Sequence, residues 1–310
     1  MNPVKRSGSS NAVSGISAII NTYNHEASIE LCLAGVRAQQ LGATPMELIV
    51  VDDGSDDRTP QLARLHIERT DHTPSKYVQL HRKGGVACRQ HGIDIANHQL
   101  VLLLGGDFIL TDPTVLQQML AHLHDDVPFV SLYGPHGGMG TLYRTDVLKQ
   151  VGGFCLAFNR FGSGFRDDSD LHYRLQDRGH HGVHLSHLRQ AFRHLQPRPP
   201  GLVGAAQYAL HRVAVHQLDP LLFRRHPRRF TADFPLLLGR VVDPVGDFQR
   251  ATGLWRRGGR LELSSPQGVV LLPGTNAFYR VLAVLGGLAY VVAVHCARAA
   301  GSVRYRTVLL

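Results

Sequence analysis

Cysteine is scarce in this sequence, and the N-terminus lacks the features of a secretion signal. The four cysteines lie far apart and form no C-x-x-C pair. That scatter excludes a disulfide framework or a zinc ribbon and is typical of a reducing compartment. The first apolar run, Ile16 to Ile20, is too short to be the core of a signal peptide. We therefore expect a cytoplasmic protein.

Lysine and acidic residues are rare in the last third of the chain. Residues 1–188 carry 16 Lys and Arg against 19 Asp and Glu, whereas residues 189–310 carry 17 Arg, no Lys and 5 acids. No interleaved aromatic platform or nucleic-acid motif accompanies these arginines, so we expect no nucleic-acid partner. An anionic membrane surface or a phosphate-bearing substrate is the better explanation.

Strand and helix patterns alternate in the first half of the chain. Three short β-rich runs end at polar clusters: Ile16–Ile20, Leu48–Val51 and Val101–Leu104. Helical spacing of apolar residues occurs at Ser28–Gln40, Arg58–Arg69 and Gly85–Asn97. This alternation predicts an α/β fold, with a mostly parallel sheet and helices on both faces. Ligands of such sheets bind beyond the carboxyl ends of the strands.

The second half has a different organisation. A glycine- and aromatic-rich loop follows Val151–Phe154 and leads into an acidic helix that Gly179 is expected to end. The proline-rich stretch Gln196–Gly201 is typical of a linker. The expected divisions are a disordered N-terminus at residues 1–13, an α/β domain at residues 14–200, and an arginine-rich, mainly helical extension at residues 201–310.

Two adjacent carboxylates stand at the end of the second predicted strand, in V-V-D-D-G-S-D-D-R-T at Val50–Thr59. A solvated turn capped by Asp and Ser would explain this cluster in isolation. The alternative is a docking point for a base or a ribose, because both offer hydrogens to a carboxylate. Receiver domains also carry an acidic pair at a strand end, but they are shorter, and their later phospho-acceptor Asp and Lys are not evident here.

Five motifs follow one another in a fixed order along the chain. They are I-S-A-I-I-N-T-Y-N at Ile16–Asn24, V-V-D-D-G-S at 50–55, C-R-Q-H-G at Cys88–Gly92, L-L-L-G-G-D at Leu102–Asp107, and V-G-G-F with R-D-D-S-D-L at 151–154 and 166–171. Their order and spacing resemble glycosyltransferase family 2, whose members have the Rossmann-like GT-A fold. The family has a proline at the place of Asn21, and D-x-D at the place of G-G-D. The resemblance covers roughly residues 14–200.

The resemblance implies a donor site for a nucleoside-diphosphate sugar. A carboxylate such as Asp53 can accept an N–H of the base, and Tyr23 can stack on the ring. Asp52 and Arg89 are expected to orient the ribose and the diphosphate, since a guanidinium matches phosphate oxygens. The implied donor-binding residues are Asn21, Tyr23, Asp52, Asp53, Arg89, Gly106 and Asp107.

The resemblance also implies a divalent cation, Mn²⁺ or Mg²⁺, that bridges the diphosphate. Asp107 holds the place of the last acid of D-x-D, which in the family is usually the acid nearest the metal. The alternative for a lone aspartate after a strand is a cap on the next helix. The family often supplies a histidine after the acidic helix, and His194 fits that spacing better than His184 or His187. Asp107 and His194 are therefore the expected metal ligands.

Acidic residues 167–170 open a predicted helix. Acids at this place complement the helix dipole, and most do nothing more. By the resemblance, Asp168 corresponds to the catalytic aspartate, the general base that takes the proton from an acceptor hydroxyl. Asp167 stands where the family has a glutamate. The implied acceptor-side residues are Gly153, Phe154, Asp167 and Asp170.

The uncharged run Val281–Ala297 is shorter than the ~20 residues that span a bilayer. Four arginines flank it, at positions 280, 298, 304 and 306. We expect a buried or interfacial helix rather than a transmembrane span. An interfacial helix would bring the protein to the cytoplasmic face of a membrane, whereas a buried one would pack against the catalytic sheet. The Q-x-x-R-W signature of processive synthases is absent, which favours transfer of a single sugar.

These expectations combine into one function. The chain is expected to be an inverting glycosyltransferase of the hexosyltransferase type, acting on a carbohydrate or lipid-linked acceptor in glycan, glycolipid or cell-envelope biosynthesis. One alternative is a catalytically silent nucleotide-sugar-binding protein, suggested by the missing first acid of D-x-D. Another is a different nucleotide-dependent α/β enzyme, such as a nucleotidyltransferase or dehydrogenase. Against the latter, neither G-x-G-x-x-G nor G-x-x-x-x-G-K-[ST] occurs.

Overall fold

The computed structural model describes most of the chain. The described residues are 15–69, 73–134, 138–160, 162, 164–195, 201–233, 254–257, 260–265, 268–272 and 276–309. The predicted disordered segment at residues 1–13 lies outside them, as do residues 196–200 of the predicted linker. The last residue of that linker, Gly201, begins a helix.

Strands and helices alternate from β1 to β4, as the sequence predicts for the first half of the chain. The strands are β1 (Ile16–Thr22), β2 (Met46–Asp52), β3 (Ser75–Gln79), β4 (Leu100–Gly105), β5 (Phe108–Leu110), β6 (Phe129–Ser131), β7 (Thr141–Arg144), β8 (Val183–His184), β9 (Phe192–His194), β10 (Leu254–Arg257), β11 (Arg260–Ser265) and β12 (Gly268–Leu272). The helices are α1 (Ile29–Arg37), α2 (Thr59–Glu68), α3 (Gly85–Asp94), α4 (Val115–Ala121), α5 (Thr145–Gln150), α6 (Asp167–Asp177), α7 (Gly201–Ala214), α8 (Asp219–Arg225), α9 (Pro227–Asp233) and α10 (Asn276–Arg304).

A seven-stranded sheet forms the centre of the structure, in the order β3-β2-β1-β4-β7-β6-β8. The first four of these strands are parallel to one another, and β8 is parallel to β6. Only β7 is antiparallel to its neighbours in this sheet. The prediction of a mostly parallel sheet is therefore confirmed. Because β1, β2 and β4 are parallel neighbours, the residues that follow Thr22, Asp52 and Gly105 meet at one edge of the sheet.

Alternate residues of the central strands enter two different cores. On β1, Ala18 and Ile20 pack with α1, α2 and α4, whereas Ile19 packs on the opposite face with α3, α5 and α6. Strands β2 and β4 divide their residues in the same way. Strands that are apolar on both sides are typical of a parallel sheet between two layers of helices. The predicted helices on both faces are thus confirmed.

Strands β5 and β9 form a small antiparallel sheet beside the central one. Their register sets Phe108 opposite His194. The rings of Phe108 and Phe192 stack with their centroids 4.6 Å apart. The return of the chain after α6 therefore places His194 beside Asp107, the residue that precedes Phe108.

The C-terminal region packs on helix α6. A third apolar cluster joins residues of both parts: Phe158, Tyr173, Leu218, Leu222, Phe230 and Leu309. Helix α10 lies so close to residues 215–218 that a Cβ at Gly301 would collide with the carbonyl of Gln217. A C-terminal helix was expected and is confirmed, whereas the antiparallel sheet of β10, β11 and β12 was not predicted. The boundary at residue 200 stays a prediction.

Among the described helices, α10 is long and apolar enough to cross a membrane. Its apolar window lies within Val284–Arg304, has a mean hydropathy of 1.4 and is 28% buried in the protein. The face that carries Val294 and Gly301 packs inward. Exposed residues on the helix form what we name the apolar stripe: Val281, Val284, Leu285, Leu288 and Val292.

One expectation about the flanking arginines is wrong. Arg298 was expected to flank an uncharged run at a membrane surface, but its side chain is only 8% exposed. Its Nε donates to Asp219 Oδ2 over 2.9 Å. A buried aspartate therefore holds this arginine inside the protein, and Arg304 and Arg306 remain exposed.

Candidate functional site

A cavity of about 1150 Å³ opens where β1, β2 and β4 end. Of the residues that the sequence implicated, those that line it are Asn21, Tyr23, Asp53, Arg89, Asp107, Phe154, Asp167, Asp168 and His194. The implicated residues that do not line it are Asp52, Gly106, Gly153 and Asp170. Each of these four is next in sequence to a lining residue. The weaker histidine candidates, His184 and His187, do not line the cavity.

Asp52 and Asp53 have different environments, although they are adjacent. Asp52 is fully buried and accepts hydrogen bonds from Tyr77 Oη at 2.6 Å and Ser55 Oγ at 2.5 Å. Asp53 faces the cavity, and the backbone N–H of Gly84 donates to both of its oxygens over 2.9 Å. The sequence predicted donor contact for both residues. The structure places Asp52 behind Asp53, where it shapes the turn.

Gly84 allows this turn to approach Asp53. Its φ of 87° lies in the left-handed region that favours glycine. A Cβ at this position would collide with the side chain of Asn159. The same turn begins α3, which carries Arg89 to the cavity. One glycine therefore fixes the positions of a carboxylate acceptor and a guanidinium.

Asn21 brings a buried acceptor to the end of β1, and Tyr23 brings a partly exposed aromatic ring. The Oδ1 atom of Asn21 is buried and has no hydrogen-bond partner within the described structure. Tyr23 is 38% exposed, and the guanidinium carbon of Arg82 lies 5.6 Å from its ring centroid. Buried polar atoms normally have partners, so an orphaned acceptor in a cavity wall suggests that a ligand supplies one. An open aromatic ring beside it suits a nucleobase.

Two histidine side chains converge on Asp107. His194 Nε2 lies 3.1 Å from Asp107 Oδ2, and His25 Nε2 lies 3.9 Å from the same oxygen. Burial alone would raise the pKa of Asp107, but the hydrogen bond from His194 and the charge of His25 hold it below its ordinary value. Burial lowers the pKa of His25. An ionised carboxylate therefore lies between two imidazole groups.

These side chains fit a divalent cation. Carboxylate oxygen and imidazole nitrogen are both ligands of Mn²⁺-type ions. No group of three His, Cys, Asp or Glu in the described part of the chain is arranged to hold a metal by itself. A cation at Asp107 would therefore take its other ligands from phosphate and water. The alternative of a helix cap is wrong, because Asp107 is followed by strand β5.

Arg89 and Asp167 form a buried ion pair in the cavity wall. Both residues are 5% exposed, and Arg89 Nη2 donates to Asp167 Oδ2. Burial raises the pKa of Asp167 to about 6, although the charge of Arg89 opposes the rise. Arg89 Nε lacks a hydrogen-bond partner among the described residues. One side of the guanidinium is therefore committed to Asp167, while the other can serve a ligand.

Asp168 presents a carboxylate to the cavity from the first turn of α6. Its side chain is half-buried, and its Oδ1 accepts the backbone N–H of Ser169 at 2.8 Å. Its backbone carbonyl lies 2.9 Å from His172 Nδ1. Asp168 forms no ion pair with any residue that the structure describes. Its position is therefore set by the helix, and its charge is not neutralised by a protein cation.

Asp170 belongs to a different network. It is fully buried, and it accepts hydrogen bonds from Arg174 Nε at 2.9 Å and from Arg225 Nε at 2.6 Å. His226 Nε2 lies 3.0 Å from the same oxygen as Arg225. Burial alone would raise the pKa of Asp170, but His226 and the two arginines hold it below its ordinary value. The sequence placed Asp170 on the acceptor side, whereas in the structure it ties α6 to α8.

Gly153 and Phe154 are adjacent in the chain but have different surroundings in the structure. The carbonyl of Gly153 accepts a hydrogen bond from Arg174 Nη2 at 2.7 Å, behind the cavity wall. Phe154 lines the cavity, with its ring centroid 5.2 Å from the guanidinium carbon of Arg89. Its N–H donates to Gln90 Oε1 over 2.7 Å. The glycine thus anchors α6, and the phenylalanine supports Arg89.

Several cavity residues were missed by the sequence analysis. The ones that matter most for the site are His25, Arg166, Tyr208 and Arg212. His25 directly follows the T-Y-N of the first motif, and this position could have indicated it. Tyr208 and Arg212 lie on α7, beyond the resemblance, where no motif signals a site.

The family model described as Glycosyl transferase family 2 matches residues 17–181. That segment is more than half of the chain, and the chain belongs to this family. The structure of the mannosyltransferase PcManGT from Pyrobaculum calidifontis, in complex with GDP-Man and Mn²⁺, matches with a TM-score of 0.58 and 17% identity. The match covers 93% of this chain and 86% of that one. The predicted GT-A fold is thereby confirmed.

Two curated proteins show similarity over shorter segments. Glycosyltransferase AglE of Haloferax volcanii is 32% identical over 92 residues, which is 30% of each chain. Dodecaprenyl-phosphate galacturonate synthase of Rhizobium johnstonii is 33% identical over 110 residues, or 35% of this chain and 32% of that protein. The matched segment thus spans less than a third of each relative.

Proposed function

We propose that the chain is an inverting glycosyltransferase that moves one sugar from a nucleoside-diphosphate sugar to an acceptor hydroxyl. The acceptor is a carbohydrate or a lipid-linked molecule of glycan, glycolipid or cell-envelope biosynthesis. One observation carries the proposal: a single cavity holds Asp53, the Asp107–His194 pair and Asp168. Asp53 is a hydrogen-bond acceptor for a base, and the Asp107–His194 pair is a site for a cation. Asp168 is a carboxylate that no cation among the described residues neutralises. Family membership supports the same class of reaction.

The donor nucleotide binds where β1 and β2 end. Asp53 and the unpaired Oδ1 of Asn21 accept N–H groups of the base, and Tyr23 stacks on its ring. The Nε of Arg89, which has no hydrogen-bond partner among the described residues, donates to the diphosphate. Asp52 keeps this loop in shape from behind. The buried orphan atoms on both sides of the cavity are the support for this placement.

Asp107 and His194 would hold a divalent cation, with His25 beside them. Such an ion, when bound, offsets the negative charge that develops on a departing diphosphate. The lowered pKa of Asp107 keeps its carboxylate ionised at neutral pH, as a cation ligand must be. The Mn²⁺ in the mannosyltransferase complex supports Mn²⁺ as the first ion to test.

Asp168 is the proposed general base. It takes the proton of the acceptor hydroxyl as that oxygen forms a bond to the anomeric carbon and the bond from this carbon to the diphosphate breaks. Attack from the face opposite the leaving group inverts the configuration. The Arg89–Asp167 pair holds the first turn of α6 in place, so that the carboxylate of Asp168 faces the cavity.

We also propose that residues 14–200 form the catalytic unit and residues 201–310 an extension that contacts the cytoplasmic face of a membrane. The apolar stripe of α10 supports this contact, because soluble proteins normally bury such residues. The exposed Arg304 and Arg306 would meet anionic headgroups. The opposite face of α10 packs on the protein, which favours an interfacial helix over a span.

A nucleotide panel tests the proposed reaction. UDP-, GDP- and dTDP-sugars are each added with Mn²⁺, and the melting temperature and release of nucleoside diphosphate are measured. A ligand at 100 times its Kd stabilises the fold by about 2.7 kcal/mol, so one nucleotide series is expected to raise the melting temperature. Absence of binding by every series contradicts the proposal. Binding without turnover, even with acceptor extracts, would instead favour a silent nucleotide-sugar-binding protein.

A further inference from the structure

Asp219 is a carboxylate that joins three parts of the protein. It is the first residue of α8 and is fully buried. Its Oδ1 accepts a hydrogen bond from Arg166 Nε at 2.7 Å, and its Oδ2 accepts one from Arg298 Nε at 2.9 Å. Arg166 directly precedes α6, and Arg298 belongs to α10. The carboxylate therefore connects the start of α6 to both α8 and α10.

The carboxylate of Asp219 stays ionised in these surroundings. Burial alone would raise its pKa, but the charge of Arg166, the hydrogen bond with His216 and the charge of Arg298 hold the pKa well below the usual range. The Nδ1 atom of His216 lies 2.8 Å from Asp219 Oδ2. Hydrogen bonds between charged groups are stronger than those between neutral ones. Asp219 is therefore a charged anchor for both guanidinium groups at neutral pH.

The start of α6 is held from outside the helix. Arg166 occupies the N-cap position, but its side chain makes no capping hydrogen bond to the helix. Its φ of 67° is uncommon for a residue with a side chain. Such a backbone conformation persists only where the surrounding structure fixes it. The pair with Asp219 is one such contact, and the Arg89–Asp167 pair holds the next residue of the chain.

The position of Asp168 depends on these contacts. Asp168 is the second residue of α6 and lies two residues after Arg166. Both of these residues line the cavity, whereas Asp219 is buried behind them. A shift of Arg166 would therefore move the turn that presents the carboxylate of Asp168. Misplacement of a reacting group by about 1 Å can lower a rate by about 100-fold.

We infer that Asp219 is a positioning residue for the sugar transfer, because it fixes Arg166 and through Arg166 sets the place of the Asp168 carboxylate. Arg298 supports this role, since it ties the same carboxylate to α10. The inference rests on the proposed function, in which Asp168 is the base. It gives the C-terminal region, which lies beyond the residues 17–181 that the family model matches, a part in building the site.

A second buried aspartate provides a comparison. Like Asp219, Asp170 has two arginines and a histidine as partners: Arg174, Arg225 and His226. None of these three partners lines the cavity, whereas Arg166 does. Replacement of Arg225 should therefore weaken the packing of α8 on α6 without changing the rate of the folded protein. Replacement of Asp219 should change both.

A double-mutant cycle tests the inference. Asp219→Asn and Arg166→Gln are made singly and together in the full chain, with Arg225→Gln as the control. Each protein receives Mn²⁺, the donor sugar that binds in the nucleotide panel above, and the acceptor extracts used there. Release of nucleoside diphosphate is measured, and calorimetry counts the donor-binding sites. The rate per donor-binding site leaves unfolded protein out, so a loss of stability alone does not lower it.

Asp219→Asn should lower the rate per site at least about tenfold, at an unchanged donor Kd. In the Arg166→Gln background the same substitution should lower it less than about twofold, because Asp219 acts through Arg166. Arg225→Gln should keep the wild-type rate per site. If Asp219→Asn has no donor-binding sites, Arg298→Gln takes its place in the cycle with the same expected results. Arg298→Lys keeps the charge and should then restore part of the rate.

A wild-type rate per site in Asp219→Asn, or in the Arg298→Gln that replaces it, overturns the inference, because the buried pair then has a structural role alone. Equal losses in the wild-type and Arg166→Gln backgrounds overturn it too, since the effect would not pass through Arg166. A similar loss in Arg225→Gln also overturns it, because any weakened contact of α6 would then act alike. Failure of the proposed function looks different: the wild type itself then releases no nucleoside diphosphate, and the inference falls with it.

Discussion

His194 Nε2 lies 3.1 Å from Asp107 Oδ2, although the two residues are far apart in the chain. The pairing of β5 with β9 creates this contact. It offers a physical reason why the D-x-D motif can lose its first acid here. A Cβ at Gly105 would meet the carboxylate of Asp107, so a side chain at that position would have to displace this carboxylate. In the proposed cation site, the imidazole groups of His25 and His194 would stand in for the missing carboxylate.

Replacement of Asp107 tests the cation site. Asp107→Ala should abolish the stimulation of turnover by Mn²⁺, because it removes the carboxylate next to both imidazoles. Circular dichroism should show an intact fold. Asp125→Ala is the matched control, since its side chain is 92% exposed and lies outside the cavity. Full activity of Asp107→Ala, or wild-type activity that resists EDTA, would indicate a metal-independent site.

Replacement of Asp53 tests the donor site. Asp53→Ala should weaken binding of the nucleoside diphosphate by about 1.5–3 kcal/mol, the usual contribution of a charge-assisted hydrogen bond. Calorimetry measures the difference. Asp56→Ala is the control, because Asp56 lies in the same loop with a side chain that is 64% exposed. An affinity that does not change in Asp53→Ala removes the assignment of this residue to the base.

The pH dependence of stability tests the Arg89–Asp167 pair. Since the pKa of Asp167 is raised to about 6, the folded state binds this proton more tightly than the unfolded chain does. Its contribution to stability is therefore present below pH ~4 and is lost as the pH rises through the folded pKa. Arg89→Gln removes the positive charge that opposes the rise in the pKa of Asp167. The loss of unfolding free energy that this substitution causes should therefore grow with pH.

Urea unfolding at two pH values measures this effect. Arg89→Gln should cost about 3–5 kcal/mol of unfolding free energy at pH ~7.5, as a broken buried pair does, and clearly less at pH ~5, where Asp167 is protonated. Arg144→Gln removes a more exposed arginine with two acidic partners and should cost about 1 kcal/mol or less at both pH values. Equal costs of Arg89→Gln at the two pH values would contradict the raised pKa.

Sedimentation with liposomes tests the membrane contact. The wild type should sediment with anionic vesicles at low salt. The double variant that combines Leu285→Gln and Val292→Gln should remain in the supernatant, because it lacks two members of the apolar stripe. Leu31→Gln is the control, since Leu31 is 55% exposed and Leu285 is 60% exposed. If the wild type does not sediment with the vesicles and needs no detergent, the membrane proposal is wrong.

The sequence predicts the fold well because its signals there are local and repeated. Apolar runs such as Val101–Leu104 end at polar clusters, and a parallel sheet brings those ends together. Gly179 ends α6 as expected, with a φ of 81°. His194 could be placed beside Asp107 only through the resemblance, because the contact depends on a pairing between distant segments.

The sequence alone does not distinguish side chains that face the cavity from those that face a neighbouring helix. Asp168 and Asp170 belong to one acidic cluster, yet Asp170 is fully buried against residues of α8 that no motif marks. Arg166 and Arg212 were missed for a related reason. Their position depends on how the C-terminal region packs on α6, and the sequence pattern of that region indicates helices but not their partners.

The central claim is that Asp168 acts as the base in a transfer from a nucleotide sugar. Its most direct test is the rate of nucleoside-diphosphate release by wild type and Asp168→Asn at saturating donor, Mn²⁺ and acceptor, with the donor Kd measured in parallel. We expect a rate about 10²–10⁴ lower in the variant, at an unchanged Kd. Normal turnover by Asp168→Asn would contradict the assignment of Asp168 as the base. No turnover by the wild type with any donor would contradict the proposed transfer itself.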